Sequence, residues 1–322
     1  MALADSIGSR PRAWPSRQAI IAILILAATL LLLGVYAPNF FRYNNILNVL
    51  LQASLLGILA IGMAVVMIVG GIDLSLPANM AMSAIAGALY MKATGDWVGA
   101  PFIMAATGSL IGLVNGLAVA KLKMIPFVVT LAMMTVVSGT SVWVTNSLSI
   151  SQLPQAFLDL FGARPFLRIP IAVMIVAVLG TVVTVLMQSS IAGRWAYAVG
   201  IDEKASRVAR IPIARVVLAS YVFAGLIAGV TAILLTARLG AASANMGNDG
   251  MVLDIVSACV VGGISIYGGS GRISGALFGA LLITVLSNAM NLIGVSFYLS
   301  LVIKGVVIIA FVAADRQRGG RQ

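Results

Sequence analysis

The chain contains no histidine, a single cysteine and only nine acidic residues in 322. Without histidine there is no imidazole for a metal site or a proton relay. With Cys259 alone, set inside an apolar run, no intrachain disulfide forms. Charge of either sign is scarce: Asp, Glu, Lys and Arg make up 9% of the residues, against about a quarter in soluble domains. No GxxxxGK[ST] stretch occurs, which excludes a P-loop nucleotide site in this chain. What fills the chain is apolar: 61% of residues are hydrophobic and the mean hydropathy is +1.10. A water-soluble fold has no means of covering its surface with this composition. The expected class is an all-α polytopic membrane protein. The apolar runs are continuous rather than alternating, which argues against a β-barrel.

About ten transmembrane helices are expected, over roughly 19–37, 46–70, 76–92, 98–120, 126–146, 169–188, 213–237, 252–267, 273–293 and 296–314. They form one membrane domain, 19–314, between a basic N-terminal segment, 1–18, and a basic tail, 315–322. Arg10, Arg12 and Arg17 before the first apolar run resemble a signal peptide. The run is long for that role and many spans follow, so it is read as an uncleaved helix. Pro126, Pro170 and Pro212 sit at or just before span starts, where a missing N–H costs least. Placing both the N- and C-termini in the cytoplasm puts fourteen of the 20 Lys and Arg inside and five outside, with Lys304 within the last span. Topology thus accounts for the net charge of +11, and no nucleic-acid partner is expected.

One polar island interrupts the apolar chain. Residues Gly193–Arg210 hold six of the 29 charged residues and face the cytoplasm in this topology, within a loop spanning 189–212. Ile201, Ala205, Val208 and Ala209 fall on one face of a helix, with Glu203, Lys204 and Arg207 largely off it. Asp202 is placed to cap that helix. The alternative is an amphipathic helix lying on the membrane, but a short helix with mostly small apolar residues grips lipid poorly. A groove on a separate protein suits it better.

Two further segments break the helical pattern. In Gly70-Gly71-Ile72-Asp73-Leu74-Ser75-Leu76-Pro77, a carboxylate lies at membrane depth among helix breakers. Asp73 either lines a wet path or caps the helix that follows, and the cap is the preferred reading. In Gly262–Arg272 the glycines permit a tight reversal, and no strand precedes it to make a phosphate loop. Gly275 and Gly279 beyond it permit close helix packing. Val69-Gly70-Gly71-Ile72 and Val261-Gly262-Gly263-Ile264 form a short echo. The external segments 147–168 and 238–251 form either a docking surface for an outside partner or ordinary connectors. Within the spans, Asn115, Thr130, Asn146, Asn288 and Asn291, with Asp73 and Ser75, are the pathway candidates, since a neutral polyol needs amide and hydroxyl partners. Such residues also join helices to one another. Lys304 either pairs with a carboxylate or snorkels. No set of side chains forms a metal site.

Several segments in order carry a resemblance: GGIDLS at 70–75, PFVVTLAMM at 126–134, GRWAYAVG at 193–200, VVGGISIYGGSGRISGALFGALL at 260–282 and MNLIGVSFYLSLVIKGVVI at 290–308. Over about residues 40–314 the chain resembles the permease subunits of bacterial ABC importers for ribose, xylose, galactose and related monosaccharides. That resemblance implies a multi-pass protein of the bacterial inner membrane that forms a pore and is not an enzyme. It implies a second permease subunit, identical or related, cytoplasmic ATPase subunits that carry ATP and Mg, and a periplasmic or extracellular sugar-binding protein. The chain itself would bind no cofactor. The coupling helix would lie in the island, with Gly193, Arg194, Gly200, Asp202, Glu203, Lys204, Ala205 and Arg207 at the ATPase contact. The chain departs from the family pattern at Leu76-Pro77-Ala78, Ile201-Asp202, Arg210 and Val252. The other function class open to such a chain is an ion-coupled secondary transporter, which uses intramembrane acids as ion sites.

Overall fold

The structure is a computed structural model that describes residues 37–162, 169–247, 249–296 and 298–306, with single positions 24, 27, 29, 31 and 309. Eleven α-helices are delimited: α1 (Tyr43–Ile68), α2 (Leu76–Thr94), α3 (Ala100–Ala120), α4 (Pro126–Thr145), α5 (Gln155–Phe161), α6 (Ile171–Ser189), α7 (Ile191–Ile201), α8 (Glu203–Val208), α9 (Ile213–Leu239), α10 (Asp249–Val261) and α11 (Ile273–Leu292). Residues 298–306 are also helical. Among the described residues, six helices are long and apolar enough to cross a membrane: α1, α3, α4, α6, α9 and α11. The expected first span, 19–37, and the terminal segments 1–18 and 315–322 fall outside the described residues, apart from a few single positions.

α1 is the central helix. From Gly57 to Ile68 every residue is buried, the state expected of a helix apolar all round. α9 packs across α1, α2 and α3, and its tightest contact is with α3. There the two helices run antiparallel with glycine against glycine. A methyl group built on Gly108 would lie 2.3 Å from the carbonyl oxygen of Gly225, and one on Gly225 would lie 2.2 Å from that of Gly108. Gly112 meets the Tyr221 carbonyl and Gly116 the Leu218 backbone in the same way. Small residues let helix backbones touch where lipid supplies no hydrophobic drive for association.

The expected span at 252–267 is corrected. α10 has 13 residues and covers about 20 Å, too short for a hydrocarbon core of about 30 Å. It starts deep in the bundle: a methyl on Gly247 would lie 2.1 Å from the Pro77 carbonyl, so the chain before α10 packs on the first turn of α2. That turn is well inside, since neighbouring Ser75 bonds Asn115, five residues (about 8 Å) from the end of α3. The segment 238–251 is therefore more than an outer connector. Within it the backbone of Ala242 pairs both ways with Ile150 at 2.8 and 2.9 Å, tying it to the segment that follows α4, and the chain then reaches Pro77. α10 ends in a Schellman turn. Ile264 N–H donates to the Cys259 carbonyl and Gly263 N–H to Val260, with Gly263 at φ +82°. α1 ends likewise, but with Gly70 at φ +92° as the left-handed residue. The two echo segments are thus out of register by one residue.

Lys304 pairs with a carboxylate. Its Nζ sits 2.8 Å from Oδ1 and 3.0 Å from Oδ2 of Asp254, tying the helical segment 298–306 to α10. The side chains are only 12% and 23% exposed. Removing one partner strands a partly buried charge, whereas removing both does not. Lys304→Met alone should therefore lower the thermal midpoint in detergent more than the double variant with Asp254→Asn. The single change should cost up to about 3 kcal/mol, the low end for buried pairs. Equal midpoints would show that the pair is not coupled.

Candidate functional site: hairpin, glycine junction and polar knot

The polar island folds as two helices rather than one. Ser190 Oγ accepts the Gly193 N–H at 3.0 Å and starts α7, and Gly193 lies so close to the Met187 carbonyl that a methyl would sit 2.2 Å from it. α7 stops at Ile201 because Asp202 leaves the helical region, at φ −156° and ψ +109°. Its Oδ1 then accepts the N–H groups of Lys204 and Ala205 at 2.7 and 3.1 Å and starts α8. Glu203 and Arg207 form an exposed i,i+4 pair at 2.7 Å, an interaction in the range of tenths of a kcal/mol. α8 ends with Arg210 at φ +57°, a left-handed position that glycine fills at less cost.

Burial sorts the hairpin into an inner and an outer side. Gly193, Ala196, Val199 and Ser206 are buried, while Arg194, Asp202, Glu203, Lys204, Ala205 and Arg207 are exposed. The apolar Ile201 and Val208 stand 73% and 86% exposed. The hairpin therefore presents an apolar pair, rimmed by charge, away from the bundle.

The end of α7 is clamped between two loops. A methyl on Gly200 would lie 1.9 Å from the Ile68 carbonyl and 2.5 Å from the Gly269 nitrogen. Gly269 N–H donates to that Ile68 carbonyl at 2.9 Å, and Gly268 lies against the Gly70 backbone. Tyr197 donates its hydroxyl to the Gly271 carbonyl at 2.9 Å, and burial pushes that hydroxyl's pKa above its usual value, keeping the donor protonated. The hairpin, the α1–α2 loop and the α10–α11 turn thus meet backbone to backbone.

A polar knot lies one step deeper. Asp73 Oδ1 accepts both the backbone N–H of Ser75, at 3.0 Å, and its hydroxyl, at 2.6 Å. Ser75 Oγ in turn accepts from Asn115 Nδ2 on α3 at 2.8 Å. The Ile72 carbonyl receives Thr130 Oγ1 from α4 at 3.2 Å and the Tyr221 hydroxyl from α9 at 3.3 Å. Asp73, Ser75, Asn115 and Thr130 are all fully buried. Four of the seven pathway candidates therefore converge, and they join α2, α3, α4 and α9. Asp73 bonds the N-cap residue of α2 rather than the helix's own free N–H groups. Tyr221 is the member the sequence reading missed; a lone tyrosine in the apolar α9 segment, whose hydroxyl needs a partner, was the available signal.

The other three candidates lie apart. Asn288 exchanges two amide bonds with Asn45 of α1, at 3.0 and 3.1 Å. Asn146 is the left-handed C-cap of α4, at φ +49°, and Asn291 is exposed near the end of α11. Among the described residues, no group of three or more His, Cys, Asp or Glu is placed to hold a metal.

Comparison with known proteins gives this geometry its setting. Residues 45–312 match the family model described as branched-chain amino acid transport system / permease component. The chain belongs to this family of permeases. It is 36% identical to the ribose import permease protein of Escherichia coli strain K12 over 315 residues, which covers 95% of this chain and 96% of that one. The ribose import permease protein of Bacillus subtilis strain 168 is 37% identical over 89% of each chain. The L-arabinose ABC transporter permease protein of Azospirillum brasilense is 31% identical over 93% of this chain and 87% of its own. No solved structure matches.

In the permease, the clamp leaves no room for a side chain at position 200. Gly200→Val should push the three loops apart, lower the thermal midpoint and open the hairpin to trypsin at Arg207 and Arg210, at a cost of about 1–3 kcal/mol. Gly139→Ala in α4 is the control, since a methyl there meets nothing within 4 Å. It should leave both readouts unchanged or slightly improved. Equal behaviour of the two variants would remove the clamp.

Proposed function

We propose that the chain is the membrane-spanning permease subunit of an ATP-driven, binding-protein-dependent importer of a monosaccharide or related small polyol, in the bacterial inner membrane. The observation that carries this reading is the near end-to-end similarity to ribose and arabinose import permeases. The family description alone also covers branched-chain amino acids; the named relatives favour a sugar. In this reading the chain crosses the membrane ten times, the eighth crossing being made by the segment before α10 together with the short α10, so that both termini lie in the cytoplasm, and two permease subunits, identical or related, enclose the pore.

ATP and Mg bind a separate ATPase subunit that docks on the α7–α8 hairpin through Ile201 and Val208. A sugar-binding protein delivers the solute at the outer face, where the Ile150–Ala242 pairing holds the two longer outer segments together. Movement of the docked hairpin reaches the bundle through the Gly200 junction. From there it passes along the α1–α2 loop into the knot that holds α2, α3, α4 and α9, and along the α10–α11 turn into α10 and α11. Against the ion-coupled alternative, Asp254 is paired with Lys304 and Asp73 Oδ1 is held by Ser75; Asp73 Oδ2, buried without a hydrogen-bond partner, is the one feature that alternative could use.

The test is reconstitution of the chain into liposomes with its ATPase and sugar-loaded binding protein. ATP should drive uptake, and an ion gradient without ATPase should not. Ile201→Asp with Val208→Asp should abolish stimulated hydrolysis while leaving the permease's thermal midpoint unchanged, since both side chains already face solvent. Gradient-driven uptake by the chain alone would refute the reading.

A further inference from the structure

A second cytoplasmic element stands beside the hairpin. The connection Lys121–Ile125, between α3 and α4, is five residues long and every one is exposed. Leu122 and Ile125 are 71% and 67% exposed, comparable to Ile201. The turn is pinned rather than loose. Leu122 N–H donates to the Leu117 carbonyl at 3.3 Å and Met124 N–H to Ala118 at 3.2 Å, with Lys123 held at φ +53°. A lysine in that region is held against its own preference. The backbone thus fixes the apolar side chains outward. Lys123 also lines one open depression with Asp202, Glu203, Lys204 and Arg207 of the hairpin. Across the two elements Lys121, Lys123, Lys204, Arg207 and Arg210 outnumber Asp202 and Glu203.

We propose that the 121–125 turn is a second docking element for the same ATPase subunit, which seats on Leu122 and Ile125 as well as on the hairpin. This rests on the hairpin reading and extends it: the partner that covers Ile201 and Val208 also spans the depression and meets the turn. The excess of basic side chains calls for an acidic rim on the partner. Anchoring in lipid headgroups and contact with a second permease copy are the competing occupants of the turn.

The chain's one cysteine makes the test direct, because Cys259 is fully buried. Leu122→Cys and Val208→Cys are made separately, labelled with benzophenone maleimide and illuminated in membranes that contain the assembled transporter. Both probes should yield an adduct with the ATPase subunit, while a probe at exposed Leu148, on the outer side, should not. An ATPase adduct from Val208 alone, with Leu122 attached to lipid, to a second copy or to nothing, overturns this proposal and leaves the hairpin reading standing. Adducts from neither overturn both. An adduct from Leu122 alone overturns the hairpin contact, and with it the proposal that the turn is a second site beside the hairpin.

Discussion

Backbone pressed directly on backbone is the constraint from which the rest of the bundle follows. At the α3–α9 crossing, the carbonyl of Gly225 occupies the space a side chain on Gly108 would need, and the reverse holds equally. Such contact brings many atoms within van der Waals range, which is the main attraction between helices once both already sit in an apolar medium. The crossing also sets register. With α9 held on α3, Tyr221 comes opposite Ile72 and Asn115 opposite Ser75, and only then does the knot have its partners. Asp73 Oδ1 takes its two donors locally, from the N–H and hydroxyl of Ser75, and the register adds Asn115 as the donor to that hydroxyl, fixing the pair in place.

The same device recurs where the hairpin meets the bundle. Gly200, Gly268 and Gly269 let three loops share one small volume, with the Ile68 carbonyl at its centre. A junction built from backbone transmits displacement with little give, because there are no side-chain rotamers to absorb it. It also divides the load. One branch enters the α1–α2 loop and reaches four helices through Ile72, Asp73 and Ser75. The other enters the α10–α11 turn, beyond which Gly262 and Gly275 are again in backbone contact. In the proposed importer, a docked motor would need only a small movement at α7 to be felt by most of the bundle.

What was legible in the sequence was whatever depends on local pattern. The long apolar runs marked α1, α3, α4, α6, α9 and α11 to within a few residues, and Asp202 was recognisable as a cap. The spacing of 205, 208 and 209 behind that cap marks only α8; nothing comparable marks α7, the helix before it. The carboxylate that caps α8 is also what interrupts the chain at 202. The short α10 was not legible. Its apolar run continues past Val261, and the contact that starts it deep in the bundle joins Gly247 to Pro77, 170 positions earlier in the chain. Sorting the polar residues failed for the same reason. Asn288 and Asn115 are alike in sequence context, yet one closes an amide pair with Asn45, 243 residues away, and the other enters the knot.

The distribution of charge links topology to docking. Basic residues collect on the cytoplasmic side in the proposed orientation, and at Lys121, Lys123, Lys204 and Arg207 they surround exposed apolar side chains that the described part of the bundle leaves uncovered. Apolar residues such as Val208 and Leu122 gain nothing from water, and in a chain with lipid available they would be expected to sit at membrane depth instead. Both are fixed outward by specific backbone features, the Asp202 cap in one case and the left-handed Lys123 in the other. Holding them there carries a cost that lipid contact alone does not require. A partner that buries them would offset it by about 25 cal/mol for each Å² of apolar surface covered. The charges that orient the chain in the membrane would then also rim the surface on which its motor seats.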